Sequence, residues 1–425
     1  MQAFAQDVAR AGGEDTVVAK RSSRDIRSES RLDVLHALLS AGTSTRNELA
    51  QTTGLSVATV ATIVQDLRGE DLVVDAGSSA LGAGRPTTML RVNGERGRIL
   101  GIDVAETYVR AIMFDASLEE LGSVEVPMDE SLPSASSVTE SIVRAVDTAL
   151  RERAIDRERV LGAGIALPGL ISADESADAV APRWAARNVE VLRQLRERIG
   201  LPLVVENPLK AIATAELWFG RGRTASSMVI ANLGTGVGAG IVLEGKILRG
   251  ATHSAGEWGH AVLMLDGRSC RCGRRGCVEA YVGAPGIQVT LREIAPDHPL
   301  AVVPQREFID GLASAHGKPG GDPVVDEVLT RTAHYLGVAL GDLASIIDPE
   351  VLMLTGWTAW ILGDDLVEPT KHELQRRAPV GATAPVELGV STVRGSSVAI
   401  GMATLAFERF LGDVGLSTTR LPLAL

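Results

Sequence analysis

The sequence predicts an α/β protein in two parts, a small helical module at the N-terminus and a larger body in which strands alternate with helices. The first observation is the helical spacing of the leucines in residues 31–42, followed by two further short helical segments. The second is a change of pattern after Asn93, where apolar strand-like runs begin to alternate with helical ones. The third is length, because 425 residues are enough for two or three domains with sizeable cores.

Composition and charge narrow the class of protein. A hydrophobic content of 45% and a charged content of 22% are typical of a soluble globular protein. The net charge of −11 argues against a chain that binds nucleic acid over most of its surface, although residues 20–98 alone carry a small net positive charge. Residues 1–20 contain no apolar signal-peptide core, and no apolar run is long enough to cross a bilayer. We therefore expect a cytoplasmic protein that does not associate with membranes.

The N-terminal module begins with three helical segments. Four leucines of residues 31–42 fall on one helical face: Leu32, Leu35, Leu38 and Leu39. The next segment opens with TRNE at 45–48, which matches a capping box, and it ends near Gly54, which suits a left-handed turn. Ser56 can then cap a third helix.

Two strands follow these helices and complete a recognisable order. The segments 72–77 and 87–93 read as a hairpin around a loop that contains the sequence GRP. Three helices with a tight glycine turn, followed by a hairpin, predict a winged helix-turn-helix that binds DNA. Small three-helix folds also serve as protein-docking modules, which is the alternative interpretation. The basic residues ahead of the first helix could likewise be a solvated tail.

In a winged helix-turn-helix, the third helix would enter the major groove. Its short side chains suit thymine methyl groups better than paired hydrogen bonds to guanine, so base readout from this helix would be weak. Arg85, in the wing, would contact phosphates or the minor groove. The residues predicted to contact DNA are Arg46, Ser56, Val57, Ala58, Thr59, Thr62 and Arg85.

The body contains a glycine loop between two apolar runs of residues 226–250. The loop, Gly234–Gly238, joins two strands and does not lead into a helix, so it is not a Walker or Rossmann fingerprint. It could bring backbone amides close to a ligand, or it could be a tight hairpin turn only.

The strongest local signal is a set of three cysteines and a histidine. His260, Cys270, Cys272 and Cys277 supply three thiolates and an imidazole, the closed tetrahedral set that structural zinc requires. We expect arginines of the same loop to offset thiolate charge and lower the pKa of the cysteines: Arg271, Arg274 and Arg275. The alternative is three incidental reduced cysteines. The cysteines lie so close together that they form no distributed disulfide framework.

Several segments together resemble the ROK family, which contains sugar kinases and sugar-responsive repressors of the N-acetylglucosamine and xylose regulator type. The segments are GEWGH at 256–260, CRCGRRGCVEAYVG at 270–283, the GTGVG loop, IALPG at 165–169, DPEVLMLTG at 348–356 and RGSSVAIGMATLA at 394–406. The resemblance covers roughly residues 95–410, and the preceding winged helix is similar to that of the repressor branch. It implies a two-lobed, actin-like and hexokinase-like body that binds sugar between its lobes.

The resemblance also implies residues for the sugar site. Glu257 and His260 of GEWGH, Glu279 after the last cysteine, and Asn207 match positions that contact sugar hydroxyls in the family. His260 would then serve both the metal and the sugar loop. Carboxylates and amides can pair with vicinal hydroxyls, and a metal would rigidify the loop that carries them. Each of these residues could also be an ordinary polar surface group.

Three departures from the kinase pattern concern phosphoryl transfer. Family kinases carry an aspartate after the Glu-Asn pair, and this chain has Pro208 there, which cannot accept a proton. The first phosphate motif reads DVAET at 103–107, with Ala105 and Glu106 in place of glycines. Thr355-Gly356-Trp357 stands where a Gly-Gly pair is usual near the adenine. We therefore expect no enzymatic activity and no catalytic residue.

The predicted organisation has four parts. Residues 1–28 form a flexible tail and 29–94 the winged helix-turn-helix. The first lobe combines 95–207 with 394–425, and 208–393 form the second lobe.

The predicted function is that of a transcriptional repressor that responds to a sugar. Closure around the sugar would move the winged helices of a homodimer, or of a dimer of dimers, on a palindromic and A/T-rich operator. Losing the aspartate at position 208 could weaken sugar affinity, so the effector could also be a phosphosugar, a disaccharide or nothing at all. Two alternatives stay open, a regulator controlled by a protein partner with a vestigial cleft and an active sugar kinase fused to a DNA-binding domain.

Overall fold

The structure, a computed structural model, describes residues 23–79, 87–128, 134–169, 183–317, 321–377, 386–393 and 397–416. Its N-terminal module contains three helices and a two-stranded antiparallel sheet, as the sequence predicts. The elements are α1 (Ser23–Ala41), α2 (Arg46–Thr53), α3 (Val57–Gly69), β1 (Val73–Ser79) and β2 (Thr87–Val92). Helix α1 begins inside the predicted tail, so residues 23–28 are helical.

Local capping explains where α2 and α3 begin. The Thr45 side chain accepts from the Glu48 amide at 3.2 Å, and the Glu48 carboxylate accepts from the Thr45 amide at 2.7 Å, which confirms the capping box. Gly54 follows α2 with φ of 70°, and the Ser56 hydroxyl accepts from the Thr59 amide at 3.0 Å. The turn between the two helices therefore follows from local hydrogen bonds.

The first lobe is built on a five-stranded mixed sheet with the strand order β5-β4-β3-β6-β7. Its elements are β3 (Arg98–Val104), β4 (Tyr108–Asp115), β5 (Glu120–Pro127), α4 (Ala135–Glu152), β6 (Val160–Ala166), α5 (Arg183–Arg198) and β7 (Leu203–Glu206). Strands β3, β4 and β5 form an antiparallel meander, whereas β6 and β7 run parallel to β3. One face of this sheet packs on α4 and α5.

Helix α6 (Pro208–Phe219) connects the two lobes, and the second lobe is built on a sheet with the order β10-β9-β8-β11-β12. Its strands are β8 (Met228–Leu233), β9 (Val237–Leu243), β10 (Lys246–Ile247), β11 (Val351–Thr355) and β12 (Glu387–Val390). Its helices are α7 (Glu279–Val282), α8 (Ala284–Ile294), α9 (Gln305–Ala315), α10 (Pro323–Ile347), α11 (Trp357–Leu362) and α12 (Asp364–Arg377). The pair of similar sheets gives the two-lobed architecture that the sequence predicts.

Helix α13 (Ser397–Asp413) returns to the first lobe and packs on the other face of its sheet. There it meets the N-terminal module, because one hydrophobic cluster contains residues of α1, α2, α3, β1, β2, β3, β4 and α13. Leu38 of α1, Leu67 of α3, Phe114 of β4 and Phe407 of α13 are all fully buried members of this cluster. The winged helix therefore shares its core with the body.

Among the described residues, we find no helix with both the length and the apolar character needed to span a membrane.

Candidate metal centre and ligand cleft

Four side chains with metal-binding atoms meet in the loop after the short helical turn Glu257–His260: His260, Cys270, Cys272 and Cys277. Their ligand atoms all lie within 4.8 Å of one another. The Cys270 Sγ is 3.7 Å from the His260 Nδ1, and the Cys272 Sγ is 3.7 Å from the Cys277 Sγ. An ion bound tetrahedrally by sulfur at about 2.3 Å has edges of about 3.8 Å, so this spacing fits a tetrahedral metal ion.

The three thiols differ in their electrostatic surroundings. Burial raises the pKa of the Cys270 thiol to about 12, and burial also raises the pKa of Cys277. Burial acts in the same sense on Cys272, but hydrogen bonds with Arg274, Cys270 and Cys277 together lower the pKa of that thiol. Arg274 also acts to lower the pKa of Cys277, as expected, but desolvation of the thiolate is the larger effect there, so the net pKa of Cys277 is raised, as it is for Cys270.

Arg268, which sequence reasoning missed, fastens the candidate metal-binding loop (residues 260–277) to the helices that follow it. Its guanidinium donates to the carbonyl oxygens of Ala280 at 3.2 Å and Gly286 at 2.9 Å, and to the Thr290 hydroxyl at 3.0 Å. The same guanidinium lies over the Tyr281 ring, 4.6 Å from its centroid. The loop is thus fastened to α7 and α8 independently of any metal.

Glu206 and Asn207 occupy the junction between β7 and α6. The Asn207 side chain caps α6 by accepting from the Leu209 amide at 2.8 Å, and its Nδ2 donates to the Gly169 carbonyl at 3.1 Å. The Glu206 carboxylate accepts from the Asn207 amide at 2.8 Å and from the Arg249 Nε at 3.0 Å. Three hydrogen bonds therefore hold Asn207 in place, and a fourth holds its neighbour Glu206. Only 5% of Asn207 is exposed.

Lys210 is a buried cation that the sequence pattern did not single out. It is 2% exposed, and its Nζ donates to the His253 carbonyl at 2.9 Å. Burial lowers the pKa of Lys210, while the charges of Glu206 and Glu257 act in the opposite direction. Glu257 itself opens the helical turn after Gly256, which has a φ of 96°. The visible signal was a lysine in the first turn of the largely apolar helix segment PLKAIATAELWF.

Glu279, at the start of α7, is anchored on three sides. It accepts from the Val237 amide at 3.0 Å, from the Arg271 Nε at 3.0 Å and from the Cys270 thiol at 3.6 Å. Its carboxylate therefore ties the metal-binding loop to the first residue of β9.

Two groups of predicted site residues flank the same strand. Glu279 contacts the amide of Val237, and two residues further along β9 the Ala239 amide donates to the Gly256 carbonyl at 2.8 Å, next to Glu257. Two residues of a strand span about 7 Å, the length of a small sugar ring with its hydroxyls. The structure thus places Asn207, Glu257, His260 and Glu279 around the beginning of β9 and of α6.

An ion pair joins the two lobes next to the glycine loop. The Arg271 Nη1 is 2.6 Å from the Glu106 Oε1, and about half of each side chain is exposed. Glu106 follows β3 of the first lobe, whereas Arg271 belongs to the metal-binding loop of the second. A Cβ at Gly236 would lie 2.7 Å from the Arg271 Nη2, so the guanidinium rests directly on the glycine loop.

The neighbouring polar groups are also engaged within the protein. Burial raises the pKa of Asp103 to about 6, and its carboxylate accepts a hydrogen bond from Tyr108. Trp357 begins α11, and its indole Nε1 would lie 2.9 Å from a Cβ at Gly234. Gly234–Gly238 joins β8 to β9 as an antiparallel hairpin, as the sequence indicates. This hairpin is thus covered by Arg271 on one side and by Trp357 on the other.

The first turn of α3 forms an exposed face of the winged helix. Ser56, Val57, Ala58, Thr59 and Thr62 are all exposed, and Arg46 at the start of α2 is half-buried. The Ser56 and Thr59 hydroxyls are 2.8 Å apart, and the Thr62 hydroxyl donates to the Ala58 carbonyl at 3.2 Å. Arg85 of the predicted wing lies outside the described residues.

Comparison with protein-family models gives two matches. The model described as the ROK family matches residues 99–409, and the model described as winged helix-turn-helix DNA-binding matches residues 27–74. Among curated proteins, the xylose repressor of Caldicellulosiruptor bescii is 24% identical over 388 residues, 90% of this chain and 96% of that protein. The glucokinase of Streptomyces coelicolor is 28% identical over 325 residues, which cover 73% of this chain and 98% of the enzyme.

Solved structures show the same fold. A ROK family transcriptional regulator, described as a homologue of the E. coli MLC protein, superposes with a TM-score of 0.72 at 22% identity and covers 92% of this chain and 99% of its own. A ROK family glucokinase from Streptomyces griseus, solved in complex with glucose and AMPPNP, gives a TM-score of 0.62 at 27% identity over 73% of this chain and 99% of the enzyme.

Proposed function

This chain belongs to the ROK family, and we propose that it acts as a DNA-binding transcriptional repressor whose body binds a sugar and does not transfer phosphate. Two features support the repressor assignment. The winged helix-turn-helix family model matches its N-terminal module, and the matched xylose repressor spans 90% of the chain, against 73% for the matched glucokinase. A kinase body alone would not explain an exposed helix face at the N-terminus.

The proposed DNA contacts lie on the first turn of α3. Ser56, Val57, Thr59 and Thr62 present short exposed side chains, which fit the floor of a major groove and its thymine methyl groups. Arg46 and the wing would supply phosphate contacts. A homodimer would place two such helices one DNA turn apart on a palindromic, A/T-rich operator.

The proposed sugar site uses the residues that flank the beginning of β9. We call Asn207, Glu257, His260 and Glu279 the hydroxyl end of the cleft, and the segments 103–107 and 234–238 the phosphate end. The carboxylates and the amide of the hydroxyl end can pair with vicinal hydroxyls. Lys210 adds a buried positive charge at the start of α6, near enough to Glu257 for the two charges to interact.

The absence of phosphoryl transfer rests on one observation above all, the position of Pro208. It is the first residue of α6, directly beside Asn207, and its side chain has no group that can take a proton from a sugar hydroxyl. The Arg271–Glu106 ion pair adds to this, since Arg271 lies against the glycine loop and its partner Glu106 brings a negative charge to the phosphate end. The indole of Trp357 takes up further space next to Gly234 of the same loop.

The metal that fits the Cys₃His set is zinc. Three thiolates and one imidazole give zinc a closed coordination shell, so the ion would stabilise the loop and leave no open position for an activated water. His260, Cys270, Cys272 and Cys277 would hold it. Its effect on the cleft would pass through Glu279, which contacts Cys270.

The experiment that tests the proposal combines DNA selection with ligand titration on the full chain. Duplexes selected from a random pool by the purified protein are titrated in the presence of D-xylose, D-glucose, phosphosugars and disaccharides. We expect selected DNA to show dyad symmetry, and one sugar to raise the thermal midpoint saturably and change DNA affinity. At 100 times its dissociation constant, a sugar stabilises the protein by about 2.7 kcal/mol.

Matched variants separate the site from the rest of the surface. Glu257→Ala is expected to abolish the sugar-dependent shift, whereas Glu307→Ala, an exposed glutamate on α9, is expected to keep it. Steady release of ADP from Mg-ATP with any of the sugars, lost in Asn207→Ala, would show an active kinase. A protein that selects DNA and ignores every sugar would favour control by a protein partner.

A further inference from the structure

Helix α6 links the hydroxyl end of the cleft to the winged helix. It begins next to Asn207 and ends at Phe219, and its 12 residues span about 18 Å. Its first turn carries Lys210, whose Nζ donates to the His253 carbonyl, and its last turn carries Trp218, which contacts helix α1 of the winged helix. One rigid element therefore joins the cleft to the module that carries the proposed DNA-binding face.

The contact between α6 and the winged helix is an edge-on ring pair. The Trp218 and His36 rings lie 4.8 Å apart at an angle of 77°, and Trp218 is only 2% exposed. Burial, with a smaller effect from Arg223, lowers the pKa of His36 to about 4, so the imidazole is neutral at pH 7. Phe219 packs on the hydrophobic cluster that the winged helix shares with α13.

The indole of Trp218 is also hydrogen-bonded to helix α13. Its Nε1 donates to the Glu408 carboxyl at 2.9 Å, and Glu408 is 5% exposed. Helices α6 and α13 approach closely, because a Cβ at Gly401 would lie 1.9 Å from the Ala211 carbonyl oxygen. A displacement of α6 would therefore carry α13 with it.

The start of α6 is equally well coupled to the cleft. The cap Asn207 is bonded to Glu206, whose carboxylate is held by Arg249. A Cβ at Gly240 of β9 would lie 2.6 Å from the Leu209 carbonyl oxygen, so the first turn of α6 lies directly on β9. A ligand that pulls on Asn207 or on the residues around β9 would move this turn.

Two buried atoms along this route have no hydrogen-bond partner among the residues that the structure describes. They are the Arg249 Nη2 and the Glu408 Oε2, and Arg249 acts electrostatically on Glu408. A shift of α6 relative to α13 that brought the Arg249 Nη2 and the Glu408 Oε2 into contact would give these helices a second, distinct arrangement. Coupling between two sites requires such an element with two discrete states.

We propose that occupancy of the cleft reaches the DNA-binding face through α6, with Trp218 and Glu408 as positioning residues that transmit its movement to α1 and α13. This inference rests on the proposed function, since it requires both a sugar and a DNA ligand. It predicts that breaking the Trp218 contacts separates the two binding events without abolishing either.

The test measures how much sugar changes DNA affinity in the full chain. The probes are D-xylose, D-glucose and the duplex selected from the random pool, and the readout is the ratio of DNA dissociation constants with and without saturating sugar. Allosteric coupling is typically about 5- to 150-fold. We expect a ratio in that range for the wild type and a ratio below about 2 for Trp218→Phe, whose ring stays apolar but lacks the Nε1 donor.

Trp360→Phe is the matched control, because it is the same substitution on α11, away from this route. It is expected to keep the wild-type ratio. His36→Leu removes the ring pair from the winged-helix side and leaves the body intact, so it tests the same contact if Trp218→Phe fails to fold. In Trp218→Phe and in His36→Leu, the affinity for sugar alone and the affinity for DNA alone should each differ from the wild-type value by less than about 3-fold.

The outcomes distinguish this inference from the proposed function. A wild-type ratio that survives in both Trp218→Phe and His36→Leu would overturn the inference and leave the repressor assignment standing. If the wild type binds sugar but its DNA affinity is the same with and without it, the inference is also overturned and the repressor assignment still stands. A wild type that selects no DNA at all would overturn the proposed function and the inference with it.

Discussion

The hydroxyl end and the phosphate end of the cleft differ in how their polar side chains are held. At the hydroxyl end, Asn207 caps a helix by accepting from the Leu209 amide, and Glu279 accepts from the Val237 amide as well as from the Arg271 and Cys270 side chains. At the phosphate end, Glu106 is half exposed and is positioned by its ion pair with Arg271. A ligand is bound more tightly by side chains that are held in position beforehand, and backbone contacts hold Asn207 and Glu279 in this way.

Under the proposed function, the comparison indicates how a kinase fold could keep the recognition of sugar hydroxyls and lose phosphoryl transfer. Hydroxyl recognition uses capping and anchoring contacts that also stabilise the fold, so these residues have a structural role even without a ligand. Phosphate binding needs space for the phosphate next to backbone amides, and the Trp357 indole and the Arg271 guanidinium take up space next to Gly234 and Gly236. The difference can be tested by four substitutions, in order of decreasing expected effect.

Cys272→Ser should have the largest effect. Structural zinc contributes on the order of 10 kcal/mol in small zinc modules, so losing one of four ligands is expected to lower the free energy of unfolding by at least about 3 kcal/mol. Metal analysis should give one zinc per wild-type chain and much less in the variant, with a lower thermal midpoint. Arg275→Ser, an exposed change in the same loop, is the control. Equal stability of the two variants would argue against a structural metal.

Asp103→Asn should alter the pH dependence of stability. The folded pKa of Asp103 is raised to about 6 from its usual 3.8, so folding keeps a proton that the unfolded chain has lost. Wild-type stability should therefore fall as the pH rises from about 4 to about 6, by about 1 to 2 kcal/mol since the site is partly exposed. The variant should lack this slope and be more stable than the wild type at pH 7. Urea unfolding midpoints across pH 4 to 7 provide the measurement.

Asp115→Asn is the control for that experiment. Asp115 ends β4, and its carboxylate accepts from the Ser117 amide at 2.8 Å and from the Glu119 amide at 3.0 Å. Its replacement removes a stabilising charged acceptor, so the variant should be less stable at pH 7, the opposite sign. A gain of stability in both variants would show that general charge reduction, and not burial at position 103, is responsible.

Pro208→Asp should leave the protein folded and still inactive as a kinase. Aspartate at the first turn of a helix is stabilising by about 0.3 to 1 kcal/mol through the helix dipole, although the loss of proline offsets part of this. Because Arg271 and Trp357 still lie against the glycine loop and Glu106 is still paired with Arg271, we expect no ADP release from Mg-ATP with glucose or xylose. Turnover in this single variant would mean that the phosphate end is functional after all.

Glu106→Gln should have the smallest effect on stability. The Arg271–Glu106 ion pair is about half exposed, and exposed pairs contribute roughly 0.2 to 1 kcal/mol. The variant should lower the thermal midpoint slightly at low salt and match the wild type at high salt. Arg110 of β4 and Glu125 of β5 form a similar ion pair within the first lobe, so Glu125→Gln is the control substitution. A large loss for Glu106→Gln would mean that this pair holds the lobes together.

The parts of the molecule that sequence reasoning predicted are those fixed by local interactions. The capping box at Thr45, the cap at Ser56 and the four-residue cluster that could hold a metal ion all depend on side chains close in the sequence. Their spacing alone therefore indicates their structure. The alternation of strands and helices likewise predicted an α/β body, and the resemblance to the ROK family implied its two lobes.

The parts that sequence reasoning missed depend on contacts between distant segments. The Arg271–Glu106 pair joins residues 165 apart, and the Trp218–Glu408 hydrogen bond joins residues 190 apart. No periodicity signals such pairs, because each residue looks like an ordinary surface or helix residue on its own. Lys210 is an intermediate case. The sequence shows a lysine in the first turn of a largely apolar helix, but it does not show which residues surround that lysine.

The core that the winged helix shares with the body has a consequence for modular exchange. Recombination that grafts a foreign winged helix onto this body would have to match the apolar surface of β3, β4 and α13, not only the length of a linker. A chimera with mismatched packing would expose Phe114 and Phe407, both fully buried here. New DNA specificities are therefore more accessible through substitutions on the exposed turn of α3 than through replacement of the whole module.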